Sequence, residues 1–155
     1  MKKLFLFSTV LIISFTSFGQ IKQFKNEPEK TIGKVGGGLL PFVAELTVQK
    51  GERGSQYDNY VLSYRNQKFT HISSINYISF KGNQQTIDDF YDTLLDMFKE
   101  EKNAEKSFEF GKEILTVQTV RNLGVTVIKI YTTDRGTMGY VYLTKNQLEK
   151  LFNKN

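Results

Sequence analysis

The alternation of apolar and polar residues along the chain predicts two groups of strands, each followed by a helix. Residues 42–49 alternate apolar and polar side chains, which is the two-residue period of a half-buried strand. Residues 60–64 repeat this period, and residues 69–80 predict a third strand with an irregularity near its middle. The second group consists of residues 114–120, 125–132 and 138–143.

Segments with a helical period follow the two groups of strands. The first helix is predicted from Thr86, because Thr86 and Asp89 have the spacing of a capping box and the apolar residues after them share one side. The second helix is predicted over residues 145–152, with Thr144 and Gln147 as its capping box. Each helix has a single apolar stripe, so both are expected on one face of an antiparallel sheet.

These elements predict one α+β domain over residues 39–155, with about six antiparallel strands and two helices in the order βββα-βββα. Residues 101–111 are polar and charged, and are expected to be a connection between the halves. The tripeptide Thr47-Val48-Gln49 in the first half matches Thr116-Val117-Gln118 in the second. Two interpretations remain open: a tandem duplication, and a single domain in which hairpins recur.

The amino-terminal residues have the pattern of an export signal. Lys2 and Lys3 precede an apolar run of about a dozen residues, shorter than the roughly 20 that cross a bilayer as a helix. Small residues follow, so cleavage is expected between Gly19 and Gln20, which removes residues 1–19 and leaves no stable membrane anchor. Residues 20–38 are polar and glycine-rich, and are expected to form a flexible arm.

Composition narrows the possible functions. The 155 residues include no cysteine, which excludes disulfides, zinc–thiolate sites, a cysteine nucleophile and a lipid-modified cysteine. Loss of Lys2 and Lys3 with the signal lowers the formal net charge from +5 to +3. A charge this small does not favour nucleic acid as a partner. A chain of this length can bury a core without disulfides.

Tyrosine is the most distinctive residue type, and most of the eight tyrosines fall on or beside predicted strands. On a strand, residues two apart share a face, so Tyr140 and Tyr142 are expected on one face, as are Tyr60 and Tyr64. Together with Tyr131 they are the predicted binding residues, because aromatic side chains on an open sheet face can contact a protein, a glycan or an apolar ligand. The alternative interpretation is that tyrosine simply favours strands.

The other candidate residues give weaker evidence for a catalytic or ligand-binding role. His71 is the only histidine, and no neighbouring motif supports it as a general base. The glycine-rich stretch at residues 33–38 lacks the strand and helix that flank phosphate-binding loops, so it is expected to bend the chain. Asp88, Asp92 and Asp96 recur every four residues and are expected on the solvated side of the first helix.

The function predicted from these features is that of a small exported protein of the cell envelope, periplasmic or extracellular. It would act as a non-enzymatic binding or interaction module, without a cofactor, for a protein or small ligand of the envelope. Two alternatives come from other classes. One is a small hydrolase that uses His71 with a carboxylate. The other is a carrier of an apolar ligand, which requires an apolar cavity of roughly 300 Å³ or more.

Overall fold

The structure is a computed structural model that describes residues 29–37, 40–51, 54–68, 74–111, 113–122, 124–132 and 139–154. The predicted signal peptide and most of the predicted arm lie outside these residues, as does His71. Among the described residues, no helix combines the length and the apolarity that crossing a membrane requires.

The fold is α+β and contains two four-stranded antiparallel sheets, each followed by a helix. The first sheet consists of β1 (Lys30–Gly37), β2 (Leu40–Gln49), β3 (Asp58–Arg65) and β4 (Ile75–Gly82), and α1 (Gln84–Met97) follows it. The second sheet consists of β5 (Glu105–Phe110), β6 (Glu113–Asn122), β7 (Val125–Thr132) and β8 (Tyr140–Leu143), and α2 (Lys145–Leu151) follows it. In both sheets the strands are neighbours in chain order.

The prediction of about six strands in the order βββα-βββα was therefore wrong by two strands. The two additional strands are β1, in the predicted arm, and β5, in the predicted connection. Both are edge strands with few apolar residues: Val35 is the one fully buried side chain described in β1. These two strands are stabilised by main-chain pairing with β2 and β6. The alternation of apolar and polar residues does not predict such pairing.

The helix boundaries agree with the sequence at one helix and differ at the other. Thr144 caps α2, and Gln147 completes the predicted capping box. The N-cap of α1 is Asn83, three residues earlier than expected, and Thr86 is its N3 partner. An asparagine side chain accepts from the N3 amide as well as a threonine does, so the box is Asn83–Thr86 and not Thr86–Asp89.

The two helices do not lie on one face of one sheet. α1 contacts β4 of the first sheet and β6 of the second, whereas α2 contacts β1 and β2. The inner faces of both sheets and the buried sides of both helices form one hydrophobic core. Its aromatic centre joins β4, α1 and β5, because the Phe80 ring lies 4.3 Å from Phe110, and Phe90 lies 5.4 Å from Phe110.

Strand β4 runs across one end of the second sheet. At one side Phe80 stacks on Phe110, the last residue of β5. At the other side Asn76 packs on Gly139, just before β8, where an added Cβ would lie 1.9 Å from the Asn76 amide nitrogen. Since β5 and β8 are the two outer strands of the second sheet, β4 spans its full width. This crossing leaves the other face of the second sheet away from the core.

The two halves have the same strand register around the matching tripeptides, although β1 has two register shifts further along that β5 lacks. Lys30 pairs with Val48, and the corresponding Lys106 pairs with Val117. This correspondence aligns Glu29-Lys30-Thr31 with Glu105-Lys106-Ser107. We call residues that pair in register across neighbouring strands a row. The rows through the matching threonines are Thr47–Val61–Ser79 in the first sheet and Thr116–Tyr131–Tyr140 in the second. In each half the helix N-cap, Asn83 or Thr144, comes four residues after the last residue of its row. The paired positions in these rows of the first sheet therefore have counterparts in the second sheet.

Candidate functional site

The outer face of the second sheet presents three tyrosines and a lysine. On β7 and β8 the inward residues are fully buried: Ile128, Ile130, Val141 and Leu143. The residues between them, Lys129, Tyr131, Tyr140 and Tyr142, point outward and are half-buried. The structure thus confirms that Tyr140 and Tyr142 share one face, opposite Val141 and Leu143. We call the surface formed by these four outward residues the tyrosine face.

Lys129 lies at the centre of the tyrosine face. Its Nζ is 4.8 Å from the ring centroid of Tyr131 and 4.9 Å from that of Tyr140. The rings of Tyr140 and Tyr142 are 5.1 Å apart and tilted by 59°. The negative faces of the rings attract the ammonium, which is worth about 0.5–1 kcal/mol at exposed sites. Among the described residues, Lys129 has no carboxylate within ion-pair distance.

Glu105 borders the same face on β5. The Tyr131 hydroxyl donates to Glu105 Oε2 at 2.9 Å. Burial raises the pKa of Tyr131 above its ordinary value, and the hydrogen bond to Glu105 raises it further. The pKa of Tyr142 is also raised, first by burial and then by Tyr140. Both phenols therefore stay protonated at neutral pH and act as hydrogen-bond donors and aromatic surfaces, without carrying charge.

The free edge of β8 is held by Gln67. Its main-chain nitrogen donates to the Tyr140 carbonyl at 2.8 Å, and its side-chain oxygen accepts from the Tyr142 amide at 3.1 Å. Gln67 follows β3, so the first half of the chain satisfies the edge of the second sheet. This pairing fixes the main chain that carries Tyr140 and Tyr142 and keeps another strand from adding there.

Tyr60 and Tyr64, predicted as binding residues, belong to the core. They share a face, as expected, but that face points inward, and their exposed fractions are 3% and 0%. Tyr60 stacks on Phe80 with ring centroids 5.6 Å apart. The buried Tyr64 hydroxyl lies 3.4 Å from the Gly139 carbonyl. Three of the five predicted tyrosines, Tyr131, Tyr140 and Tyr142, are therefore brought together, and two are not.

Sequence reasoning missed Lys129 and Glu105. Lys129 lies between two buried isoleucines of a predicted strand, so the two-residue period places it on the outer face. Glu105 gave no comparable signal, because β5 has only two phenylalanines in its apolar period. Their position in one row follows from the register in which Glu105 pairs with Gln118 and Gln118 with Lys129.

The other sequence candidates have structural roles where they are described. Asp88 accepts from Lys154 at 2.8 Å, and Asp96 accepts from Lys99 at 2.7 Å. Within the described ranges, no group of three or more acidic or histidine side chains is placed to hold a metal ion. Gly33 belongs to β1, and its Cα faces the Lys150 and Leu151 carbonyls of α2, where a Cβ would have no room. This contact explains one glycine of the 33–38 stretch.

A groove of about 290 Å³ opens between the α1–β5 turn and the β6–β7 hairpin. Its charged lining residues are Glu100, Glu101, Lys102 and Arg121. An apolar ligand would have to displace water from these charged groups, which is unfavourable. The groove therefore does not match the apolar cavity that the carrier alternative requires.

The tyrosine face is thus the described surface that combines aromatic rings, donor hydroxyls and a lysine without a carboxylate partner. Fold similarity alone would not establish what such a surface binds. Comparison of the chain with models of protein families, with curated proteins and with solved structures found no match.

Proposed function

We propose that the protein is a non-enzymatic interaction module of the cell envelope, exported by residues 1–19, and that the tyrosine face is its interaction surface. The face is exposed on a sheet whose other side faces the core. Tyrosine and aromatic clusters supply most of the binding energy in many protein interfaces, because each buries a large rigid surface at little entropic cost.

One observation supports this proposal above the others: the fold does not require these aromatic residues. The corresponding positions of the first sheet hold other residue types. Register assigns Asn59 to Lys129, Val61 to Tyr131, Ser79 to Tyr140 and Lys81 to Tyr142. We infer that the halves arose by duplication and that the second one acquired an aromatic surface. Strand propensity alone does not explain why these three outward positions hold tyrosine in the second sheet and other residues in the first.

The shape of the surface favours a macromolecular partner. Sites for small molecules are concave and bury most of the ligand. The tyrosine face is one side of an antiparallel sheet, and half-buried side chains form it. Protein interfaces have this flatter geometry, with aromatic residues at the centre and polar residues such as Gln118 and Glu105 around them.

The proposal is tested by immobilising the exported chain and measuring capture from an envelope extract. The double variant Tyr140→Ala with Tyr142→Ala should remain folded but lose capture of the partner that the wild-type chain retains. The matched control is Tyr77→Ala, since Tyr77 is an exposed tyrosine on the outer face of the first sheet. Equal capture by the double variant and the wild type would remove the tyrosine face as the interaction surface.

Export is tested separately by the mass of the protein recovered outside the cytoplasm. Cleavage between Gly19 and Gln20 predicts a mature chain that begins with Gln20. A protein that keeps residues 1–19 and stays in the cytoplasm would contradict the envelope location and leave the tyrosine face to be judged by capture alone.

A further inference from the structure

We propose that the free edge of β5 binds an extended peptide segment of a partner protein, which adds to the second sheet as a further antiparallel strand. The segment carries basic residues that alternate with apolar ones. This site is separate from the tyrosine face, so the inference goes beyond the proposed function and does not depend on it. Main-chain hydrogen bonds give an added strand its affinity, and its alternate side chains give specificity.

The free main-chain groups of β5 belong to Glu105, Ser107 and Glu109. The Thr119 amide donates to the Ala104 carbonyl at 2.9 Å, which fixes the alternation of hydrogen bonds between β5 and β6. In an antiparallel pair, every second residue directs its amide and carbonyl at the neighbouring strand. The three residues named first therefore direct theirs away from β6, and within the described ranges no hydrogen bond satisfies these groups. Such an edge can pair with another strand.

The counterpart of β5 in the first half, β1, is covered by a helix. α2 contacts β1, and the Gly33 Cα faces main-chain carbonyls of α2. Gly33 and Phe108 pair with corresponding leucines of β2 and β6, so Phe108 of β5 takes the position of Gly33. Its side chain leaves no space for a helix at that distance. The edge of β8 is held by Gln67, which leaves β5 as the open edge of the second sheet in the described part of the chain.

The core side of β5 offers apolar surface to an added strand. Phe108 and Phe110 lie on this side, and their ring centroids are 5.1 Å and 5.4 Å from that of Phe90 in α1. Both side chains are nevertheless only half-buried, because no further strand lies beside them in the second sheet. Apolar side chains of an added strand would cover the exposed parts of these rings, and burial of apolar surface favours binding.

The exposed side of β5 is acidic. Glu105 and Glu109 are exposed there. Among the described residues Glu109 has no cationic partner, and Glu105 accepts from the Tyr131 hydroxyl. Lys106 points to the core side, where it pairs with Glu100 at 3.4 Å. Basic side chains of an added strand would lie directly beside the two exposed carboxylates, whereas the β5 strand of a second copy would add two more carboxylates to the same side. Charge therefore favours a basic segment over a second copy.

The probe for this site is a short peptide of alternating lysine and valine, blocked at both ends. Isothermal titration calorimetry with the purified chain should give a dissociation constant in the micromolar range. A matched peptide of alternating glutamate and valine should bind at least about tenfold more weakly. Glu109→Lys should remove this preference. The control Glu101→Lys, at an exposed position between α1 and β5, should leave the preference unchanged.

Main-chain pairing is tested by N-methylation of the probe. In the added strand the lysines lie opposite Glu105, Ser107 and Glu109, so the lysine amides donate to β5 and the valine amides point away. Methylation of the lysine amides removes these donors and should raise the dissociation constant by at least about tenfold. Methylation of the valine amides is the matched control and should leave the dissociation constant nearly unchanged.

Amide hydrogen exchange measured by NMR locates the bound peptide. In the free chain the amides of Glu105, Ser107 and Glu109 should exchange rapidly, whereas those of Lys106 and Phe108 should exchange slowly because they bond to β6. Addition of the lysine–valine peptide should slow the exchange of the first three amides. Protection at another strand, without protection of these amides, would place the peptide elsewhere and overturn the inference.

The outcomes separate this inference from the proposed function. A probe that does not bind, or that binds equally with either set of amides methylated, overturns strand addition to β5. Binding that Glu109→Lys does not weaken overturns the basic segment as the occupant. Protection of the same amides when the chain alone is concentrated would make a second copy the occupant and overturn the inference as well. The double variant Tyr140→Ala with Tyr142→Ala should bind the probe as the wild type does, even where it loses capture from the envelope extract.

Discussion

Thr119 of β6 donates its hydroxyl to the main-chain carbonyl of Met97, 2.9 Å away, in a buried contact that joins the end of α1 to the second sheet. Carbonyls in the last turn of a helix lack partners within the helix, so a strand residue satisfies one of them here. The contact crosses from the first half of the chain to the second. It helps to explain how α1, which follows the first sheet, is held against both sheets.

Replacement of this hydroxyl should weaken the connection between the halves. Thr119→Val keeps the shape but leaves the Met97 carbonyl with less compensation, so the free energy of unfolding should fall by about 1–2 kcal/mol. Urea unfolding measures the change. Thr126→Val, at a half-buried position of the adjacent strand, is the control and should cost less than about 0.5 kcal/mol. Equal losses would show that the hydrogen bond contributes little.

The tyrosines should separate into two classes by stability. Tyr60→Ala and Tyr64→Ala each remove a ring from the core and should cost about 3–5 kcal/mol. Tyr142→Ala removes a half-buried outer ring and should cost less than about 1 kcal/mol. Urea unfolding of the single variants distinguishes the classes. A large decrease in the free energy of unfolding for Tyr142→Ala would mean that Tyr142 is needed to stabilise the fold, which would argue against a role for it in binding alone.

Gly33 should be intolerant of any side chain. A Cβ there would lie 2.2 Å from the Lys150 carbonyl oxygen and 2.3 Å from that of Leu151. Since these are main-chain atoms, α2 must move, and Gly33→Ala should cost about 1–3 kcal/mol in thermal or urea unfolding. Gly111→Asn is the control: Gly111 has a φ of +64° with open space around it, and asparagine tolerates that region, as Asn103 does at a φ of +67°. Its effect should stay within about 0.5 kcal/mol. A neutral Gly33→Ala would contradict the close approach of α2 to β1.

The β2–β3 turn should lose stability in acid through Asp58. The Lys50 ammonium, 2.7 Å away, and the Gly51 amide hold the pKa of Asp58 below its ordinary value. A lowered folded-state pKa means that this stability is present above the unfolded pKa of about 3.9 and is lost as pH falls through the folded value. Asp58→Asn should therefore cost about 0.5–1 kcal/mol at neutral pH, and this cost should shrink as pH falls through the folded-state pKa.

Urea unfolding at several pH values measures this effect. Asp92→Asn, at an exposed position of α1, controls for the loss of a carboxylate elsewhere. A difference between wild type and Asp58→Asn that does not shrink in acid would show that the charge of Asp58 does not cause it, since the asparagine Oδ1 can still accept from the Gly51 amide.

The residue pattern by itself determined much of the local structure. The alternating positions of β2, β3, β7 and β8 predicted strands, and Thr144 with Gln147 predicted the start of α2. These predictions succeed because an element with one buried face needs apolar residues at regular intervals, and this pattern is visible in consecutive residues of the sequence. The same period placed Tyr140 and Tyr142 on one face, opposite two buried side chains.

Only the tertiary structure decided which face of each sheet is buried, and which strands form its edges. Tyr64 and Tyr140 both lie on predicted strands, yet one is fully buried and the other points outward. Edge strands such as β1 are stabilised by pairing with a distant strand and by the approach of α2 to Gly33. Lys129 and Glu105 share a row because three strands pair in one register. Contacts between residues far apart in the chain decide these features, and no local period encodes them.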